Sequence, residues 1–364
     1  MSISELQMGL VGAGGVVVVG IFAFNKWQER KHRKAADALA KVGVQEPAAI
    51  EPAASGGERV EPVIGAEAPP RPTPTDQQLR DASARRVPPL LPPEVDERAD
   101  WGVRIESIES VVAGQFYHAA AQHLDGLGKP VRWFGFSDTE NRWEPLNPHG
   151  AARYHWLCAA LQLVDRRGAA TEGDLAHLAA GLQRVCDAFM AIPSPPSRAE
   201  ALARGAELDR LCAGVDIQIG VNVLARDQAF SGAKLSGLLH TAGLELLDDG
   251  CFHSRDGKSL TEFVLSNLEP VLFSAEGMRG LTTQGVTLTL DVPRVADGVQ
   301  VFERMMALAQ RIADALGGVV VDDNRAPFGD KAVGLIRSQI GQFQGQMAEQ
   351  GIPAGSPLAL RLFS

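Results

Sequence analysis

The chain has 364 residues, of which 22% are charged, and its net charge is −9 at pH 7. This negative balance argues against a nucleic-acid partner, because duplex binding depends on a basic surface that neutralises phosphates. The four cysteines form no C-x-x-C pair, which argues against a zinc or thioredoxin-type motif and predicts buried free thiols. They are Cys158, Cys186, Cys212 and Cys251.

The amino-terminal stretch MGLVGAGGVVVVGIFAFNKWQERKHRK predicts a membrane anchor. From Met8 to Phe24 it has 17 uncharged residues, the short end of the ~17 to 25 that span the apolar core of a bilayer. A dinucleotide-binding loop is the alternative, but Val17 stands where G-x-G-x-x-G requires its third glycine. We therefore predict a transmembrane helix over residues 8–26.

Flanking charges predict the orientation of this helix. Residues 27–46 form a basic juxtamembrane segment, and positively charged flanks stay in the cytoplasm. Residues 1–7 are therefore expected outside the membrane, and the bulk of the chain in the cytoplasm. Gly9 and Ala13 are small residues four positions apart, a spacing that would let two anchors pack as a homodimer.

Residues 47–100 predict a disordered linker that is rich in proline and alanine. Eleven of the 22 prolines lie between Pro47 and Pro93, and few apolar residues there are periodic. Such a segment cannot bury enough apolar surface to offset the entropy lost on ordering. We expect it to tether a globular part to the membrane.

Residues 213–364 carry the pattern of an α+β domain. Strands are predicted from alternating or apolar runs in GVDIQIGVNVLA, Leu244–Phe252, Phe263–Leu268, GVTLTLDVP and GGVVVDD. Helices are predicted in SGAKLSGLLHTAGL, at Gly298–Leu316 and at Lys331–Gln350. This order predicts an antiparallel sheet with its helices on one face, of the split β-α-β type.

Several segments of this domain resemble the carboxy-terminal FtsZ-binding domain of the ZipA family of bacterial division proteins. They are FSGAKLSGLLHTAGL, GLELLDDGCFHSRDG, FVLSNLEP, LTTQGVTLTLDVP and MMALAQRIADALGGVVVDDNR. The resemblance covers about residues 215–350, and the anchor, basic flank and linker match the layout of that family. It implies a single-pass protein of the bacterial inner membrane with a periplasmic amino terminus. Such a protein binds the carboxy-terminal tail of FtsZ and tethers its filaments at the division septum.

The resemblance also implies a binding groove on the sheet face that the helices leave uncovered. The positions expected there are Gln218, Gly220, Asp249, Cys251, Leu268, Thr287 and Thr289. Most of these residues are polar, whereas the family builds its groove mainly from apolar side chains. Less apolar burial predicts weaker tail binding at this groove than the resemblance alone suggests.

Residues 101–212 lie outside the resemblance but predict a second α+β lobe. Leu163 and Phe189 each lie 127 residues before Leu290 and Leu316, which occupy similar strand and helix patterns. This offset indicates a diverged repeat, although two unrelated α+β segments can also align loosely. The strands of this lobe are apolar on both faces, which predicts a second candidate face that binds the tail or is buried between lobes. Its residues are Trp133, Phe134, Trp156 and Cys158.

The sequence contains only poor matches to known catalytic, metal-binding and cofactor-binding motifs. The GKS at Gly257–Ser259 predicts a turn, because Phe252 stands where a Walker A motif requires glycine. The polar residues around His253 crowd one strand end, which favours hydrogen bonding over metal binding. We expect a non-enzymatic membrane-tethered adaptor without a cofactor. The alternatives are an anchored enzyme with its site in residues 101–212, and a division scaffold that has lost FtsZ binding.

Overall fold

The computed structural model describes residues 88–364, which form two lobes that each contain a β-sheet. The predicted anchor at 8–26 and its flanks, 1–7 and 27–46, lie outside the described residues. Within 88–364, no helix combines the length and the apolar character needed to cross a membrane.

The end of the predicted linker is ordered, which corrects the prediction for residues 88–100. This stretch packs on the first sheet and leads directly into its first strand, while residues 47–87 lie outside the described part. The reason is that Leu91 and Val95 pack on an apolar sheet face that becomes available only in the folded lobe.

The first lobe contains the following strands and helices in chain order. They are β1 (Asp100–Val112), α1 (Ala113–His123), β2 (Val131–Ser137), β3 (Arg142–Pro145), β4 (Arg153–Gln162), β5 (Val164–Asp165), β6 (Gly168–Ala169), α2 (Glu172–Ala188), β7 (Ala191–Ser194) and α3 (Arg198–Val215). The main sheet has the order β3-β2-β4-β1-β7, and β5 pairs with β6. A capping box between Thr171 and Asp174 begins α2, because each residue bonds the other's backbone N–H.

The second lobe begins after α3. Its elements are β8 (Gln218–Ala225), β9 (Phe230–Ser231), α4 (Gly232–Thr241), β10 (Glu245–Leu246), β11 (Phe252–Arg255), β12 (Thr261–Asn267), β13 (Thr282–Thr283), β14 (Gly285–Asp291), α5 (Gly298–Leu316), β15 (Gly318–Val321), α6 (Asp330–Glu349) and α7 (Pro357–Leu362). The main sheet has the order β10-β11-β12-β14-β8-β15, and β9 pairs with β13. Gly317, in the left-handed conformation at φ 73°, ends α5.

The two sheets share one topology. In the first, β4 separates β1 from β2, and β1 separates β4 from β7. In the second, β14 separates β8 from β12, and β8 separates β14 from β15. All these neighbours are antiparallel. The α+β class with antiparallel sheets is thus confirmed, and each lobe contains two interleaved β-α-β units.

Each lobe has its own hydrophobic core, and the carboxy-terminal helices contact both. Ile340 of α6 is buried in the second core, whereas Met347, two turns further along α6, is buried in the first. After α6 the chain returns to the first core, where Leu362 and Phe363 are 1% exposed. The predicted second domain, 213–364, therefore contributes its last residues to the core of the first lobe.

Candidate functional site

The uncovered face of the second sheet, which we call the open face, lies opposite the core that packs against α4 and α5. Register places Gly220 beside Thr289 and Asn222 beside Thr287 on this face. Val264 and Ser266 of β12 continue it beyond β14. Their alternating neighbours, among them Val221 and Leu288, are fully buried in the core. Successive side chains of a strand point to opposite faces, so the sheet has one buried face and one half-buried face.

Hydrogen bonds organise the polar centre of the open face. The Thr287 hydroxyl donates to Asn222 Oδ1 at 2.7 Å, and Asn222 Nδ2 donates to Asp323 Oδ1 at 3.0 Å. A Cβ atom at Gly220 would lie 3.5 Å from the same Asp323 oxygen, so the carboxylate lies directly over this glycine. Burial raises the pKa of Asp323. The network holds Asn222 in one orientation and places the Asp323 carboxylate over Gly220.

Aliphatic side chains converge at one end of the open face. A Cβ atom at Gly285 would lie 3.1 Å from Leu224 Cδ2 and 3.2 Å from Leu268 Cδ2. Val319 of β15 is paired with Leu224 and extends this surface to the sheet edge. Any side chain at Gly285 would also come within 2.6 Å of the Val223 carbonyl oxygen, so only glycine allows the two leucines to lie over the strand. These three aliphatic residues are each partly accessible.

The opposite end of the face carries a histidine held by two partners. His253 Nε2 lies 2.8 Å from Asp249 Oδ2, and His253 Nδ1 lies 3.1 Å from Thr261 Oγ1. Nearby, burial and then Asp249 raise the pKa of the Cys251 thiol to about 11. The predicted hydrogen-bonding role of His253 is confirmed. Among residues 88–364, no three His, Cys, Asp or Glu side chains are grouped as a metal site would require.

The predicted groove residues divide into a centre and two ends. Gln218, Gly220, Thr287 and Thr289 share the open face, with Leu268 at the aliphatic end and Asp249 and Cys251 at the histidine end. Sequence reasoning missed Leu224, Val264 and Val319, so the face is more apolar than predicted. Strand alternation could have found Leu224, which lies two residues beyond Asn222. Val319 could not be assigned, because its run of valines shows no alternation.

The second candidate face does not form as a single surface. Phe134, Trp156 and Cys158 share one face of the first sheet. The prediction for Trp133 is wrong, because this residue lies on the opposite face of the sheet. There its ring packs edge-to-face against Phe116, with the ring centroids 5.8 Å apart. Adjacent strand residues point to opposite sides, so Trp133 and Phe134 cannot share a face. Phe134 and Cys158 are covered by the chain's own Pro88–Asp96 segment and not by the other lobe, which corrects the expectation of burial between lobes.

Comparison with known proteins gives one family match, over residues 217–339. The family is described as "ZipA, C-terminal FtsZ-binding domain". The matched range contains β8 to β15, and so includes the whole open face.

Curated relatives carry the same name. "Cell division protein ZipA" of Marinobacter nauticus is 31% identical over 135 residues, which cover 36% of this chain and 40% of that protein. The protein of Ectopseudomonas mendocina is 28% identical over 152 residues, covering 40% of this chain and 56% of the relative. The protein of Colwellia psychrerythraea is 33% identical over 107 residues, covering 28% of each chain.

The matched part spans less than two thirds of the length of each of these relatives. Among solved structures, a protein from Galdieria sulphuraria titled as unknown aligns at 10% identity over 61% of this chain and 95% of its own, with a TM-score of 0.17, which is too low to show a shared fold. The resemblance found in the sequence is nevertheless confirmed over residues 217–339, which match this family model.

Proposed function

We propose that this protein is a membrane-tethered adaptor of the bacterial division septum that binds the carboxy-terminal tail of FtsZ. The observation that carries the proposal is the match of residues 217–339 to an FtsZ-binding domain family. The relatives' shared name, a cell division protein, supports the same role. The adaptor acts by binding, and we propose no catalytic step and no cofactor.

The open face offers a peptide two kinds of contact. Leu224, Leu268 and Val319 form an aliphatic surface where apolar side chains of a tail peptide can be buried. Burial of apolar area on this surface contributes about 25 cal/mol per Å² to binding. Asn222 and Thr287 in the centre supply polar atoms that can bond the peptide backbone.

The membrane tether completes the proposal. The apolar residues 8–26 and the basic segment that follows would place the chain in the inner membrane once, with residues 1–7 in the periplasm and the two lobes in the cytoplasm. Residues 47–87 would then separate the lobes from the membrane. Gly9 and Ala13 would allow anchors to pair, which would raise avidity for a filament of repeated tails.

A titration of a fluorescent FtsZ tail peptide with the 364-residue chain tests the binding site. Leu268→Asp places a charge in the aliphatic surface and should weaken peptide binding about tenfold, or about 1.4 kcal/mol. Leu335→Asp is the matched control, because Leu335 is 49% exposed on α6, which packs with α5 on the other side of the sheet. Leu335→Asp should bind like the unmodified chain.

Two outcomes would contradict the proposed site. Equal affinities for Leu268→Asp and Leu335→Asp would show that the tail does not use the aliphatic end of the open face. Absence of saturable binding by the unmodified chain would favour a division scaffold without FtsZ binding.

A further inference from the structure

The segment Pro88–Asp96, which we call the cover segment, lies on the face of the first sheet that is opposite the first core. Val95 is 8% exposed and belongs to a small cluster with Phe134, Cys158 and Ala160, against which Leu91 also packs. The side chains of Val95 and Leu91 pack over Gly102 of the interior strand β1. A Cβ atom at Gly102 would lie 3.2 Å from Val95 Cγ1 and 3.3 Å from Leu91 Cδ1, so glycine allows this close approach. The cover segment is thus anchored by two aliphatic side chains four residues apart.

Side chains of the sheet hold the cover segment by its backbone carbonyls. The hydrogen bonds are Trp143 Nε1 to Leu90 O at 2.7 Å, Arg132 Nη1 to Glu94 O at 3.0 Å and Arg104 Nη1 to Pro89 O at 3.4 Å. Within residues 88–364 the cover segment pairs with no strand of the first sheet. Four of its first eight residues, PPLLPPEV, are prolines, which lack the N–H that a ladder needs. An indole and charged side chains that bond carbonyl oxygens are how proteins recognise extended proline-rich peptides.

The cover segment leaves one buried polar atom of its site without a hydrogen bond. Arg132 Nε is buried and has no hydrogen-bond partner among the described residues. Arg132 Nη1 donates to the Glu94 carbonyl oxygen of the segment, and Arg132 Nη2 forms an ion pair with Asp100 Oδ2 of β1 at 2.8 Å. Leu90 is 86% exposed. A fourth side-chain hydrogen bond runs from the Asp96 N–H to Asp100 Oδ2 at 2.9 Å. A segment with two anchors and four such bonds can leave the sheet at less cost than unfolding of the lobe.

We propose that this face of the first lobe is a docking site for an extended, proline-containing peptide, and that the cover segment occupies it until such a peptide displaces it. The fitting peptide has two aliphatic anchors four residues apart and backbone carbonyls that accept hydrogen bonds from Trp143 and Arg132. This site is separate from the open face of the second sheet. The inference does not depend on which partner the second lobe binds.

A binding experiment in trans tests the docking site. The probe is a labelled synthetic peptide of sequence PPLLPPEVDE, titrated into the 364-residue chain and into its Leu91→Ser, Val95→Ser double variant. The double variant should bind the peptide at least about tenfold more tightly, because its own segment no longer competes. Adding Trp143→Ala to the double variant should reduce that binding. Equal or absent binding by the folded double variant would overturn the proposal.

Thiol labelling of the unmodified chain gives a second test that needs no variant. Cys158 lies beneath the cover segment, whereas Cys186 and Cys212 lie in the first core. Cys158 and Cys186 are fully buried and Cys212 is 7% exposed, so Cys158 is no more accessible than the other two while the cover segment is in place. Under native conditions iodoacetamide should modify Cys158 at least about tenfold faster than the other two. One common rate would mean that the segment leaves only on global unfolding, and would overturn the proposal.

Discussion

At the scale of single residues, Arg166 is the main ionic link between the lobes. It lies between β5 and β6 of the first lobe and bonds Asp216, at the end of α3, and Asp291, at the end of β14. The distances from its Nη2 atom are 2.7 Å and 2.6 Å. Burial raises the pKa of Asp291, and the bonds from Arg166 oppose this shift. Removing the arginine would leave a largely desolvated carboxylate with no direct hydrogen bond from an arginine, because Arg294 Nε lies 4.0 Å from Asp291 Oδ2.

Arg166→Ala should therefore lower the free energy of unfolding by about 3 kcal/mol. The neighbouring Arg167→Ala is the control, because Arg167 is 69% exposed and its partner Asp165 keeps Lys129 at 2.7 Å. That control should cost less than about 1 kcal/mol. Urea unfolding of the two variants measures the difference, and equal losses would show that the link contributes little.

Asp323 should make stability depend on pH. Burial raises its pKa, a bond from Asn222 opposes the shift, and Asp322 adds to it. A carboxyl with a raised folded-state pKa contributes stability below its unfolded pKa of about 4, and the contribution is lost as the pH rises through the folded value. Asp323→Asn should thus gain stability over the unmodified chain between about pH 4 and pH 7. A constant difference in urea midpoints across this range would contradict the assignment.

At the scale of elements, α7 joins the last residues of the chain to the first lobe. Ser356 caps it by accepting a bond from the Ala359 N–H, and Pro357 occupies its first turn. Gln162 of β4 donates to the Arg361 carbonyl at 2.9 Å, and Arg361 Nη1 donates to Asp100 at 2.9 Å. The helix thereby links the chain terminus to the two central strands β1 and β4.

Phe363→Ala should destabilise the first lobe, although Phe363 lies about 260 residues beyond the start of β1. Its ring is 1% exposed, and truncating a buried phenylalanine costs about 3 to 5 kcal/mol. Leu335→Ala, on the exposed side of α6, should change stability by less than about 0.5 kcal/mol. Thermal unfolding of both variants gives the comparison. A Phe363→Ala chain as stable as Leu335→Ala would mean that α7 does not support the core.

Periodicity predicted most elements of the second lobe. The helix expected at Gly298–Leu316 has those bounds, because its apolar residues recur at helical spacing and Gly317 follows them. Alternation likewise predicted β8 and β14. The cover segment could not be predicted, because Leu91 and Val95 stand in a proline-rich stretch without periodicity. Their partners Phe134 and Cys158 lie about 40 and more than sixty residues away in sequence, and local patterns do not show such contacts.

At the scale of the whole molecule, the two lobes repeat one arrangement. Helix α2 begins at Glu172 and α5 at Gly298, close to the 127-residue offset seen in the sequence. Each follows the strand that lies beside the first strand of its lobe, β4 in one and β14 in the other. The diverged repeat stays a prediction that this shared topology supports. The lobes differ in the sheet face that lies opposite the core. In the first lobe the cover segment packs on this face, and in the second lobe it is the open face.

We propose above all that the anchored chain recruits FtsZ to a membrane through the FtsZ tail. Vesicles that carry the 364-residue chain can be mixed with FtsZ, or with FtsZ that lacks its carboxy-terminal tail, and floated on a density gradient. Intact FtsZ should float with the vesicles, and tail-less FtsZ should stay at the bottom. Equal flotation of both forms, or flotation of neither, would contradict it.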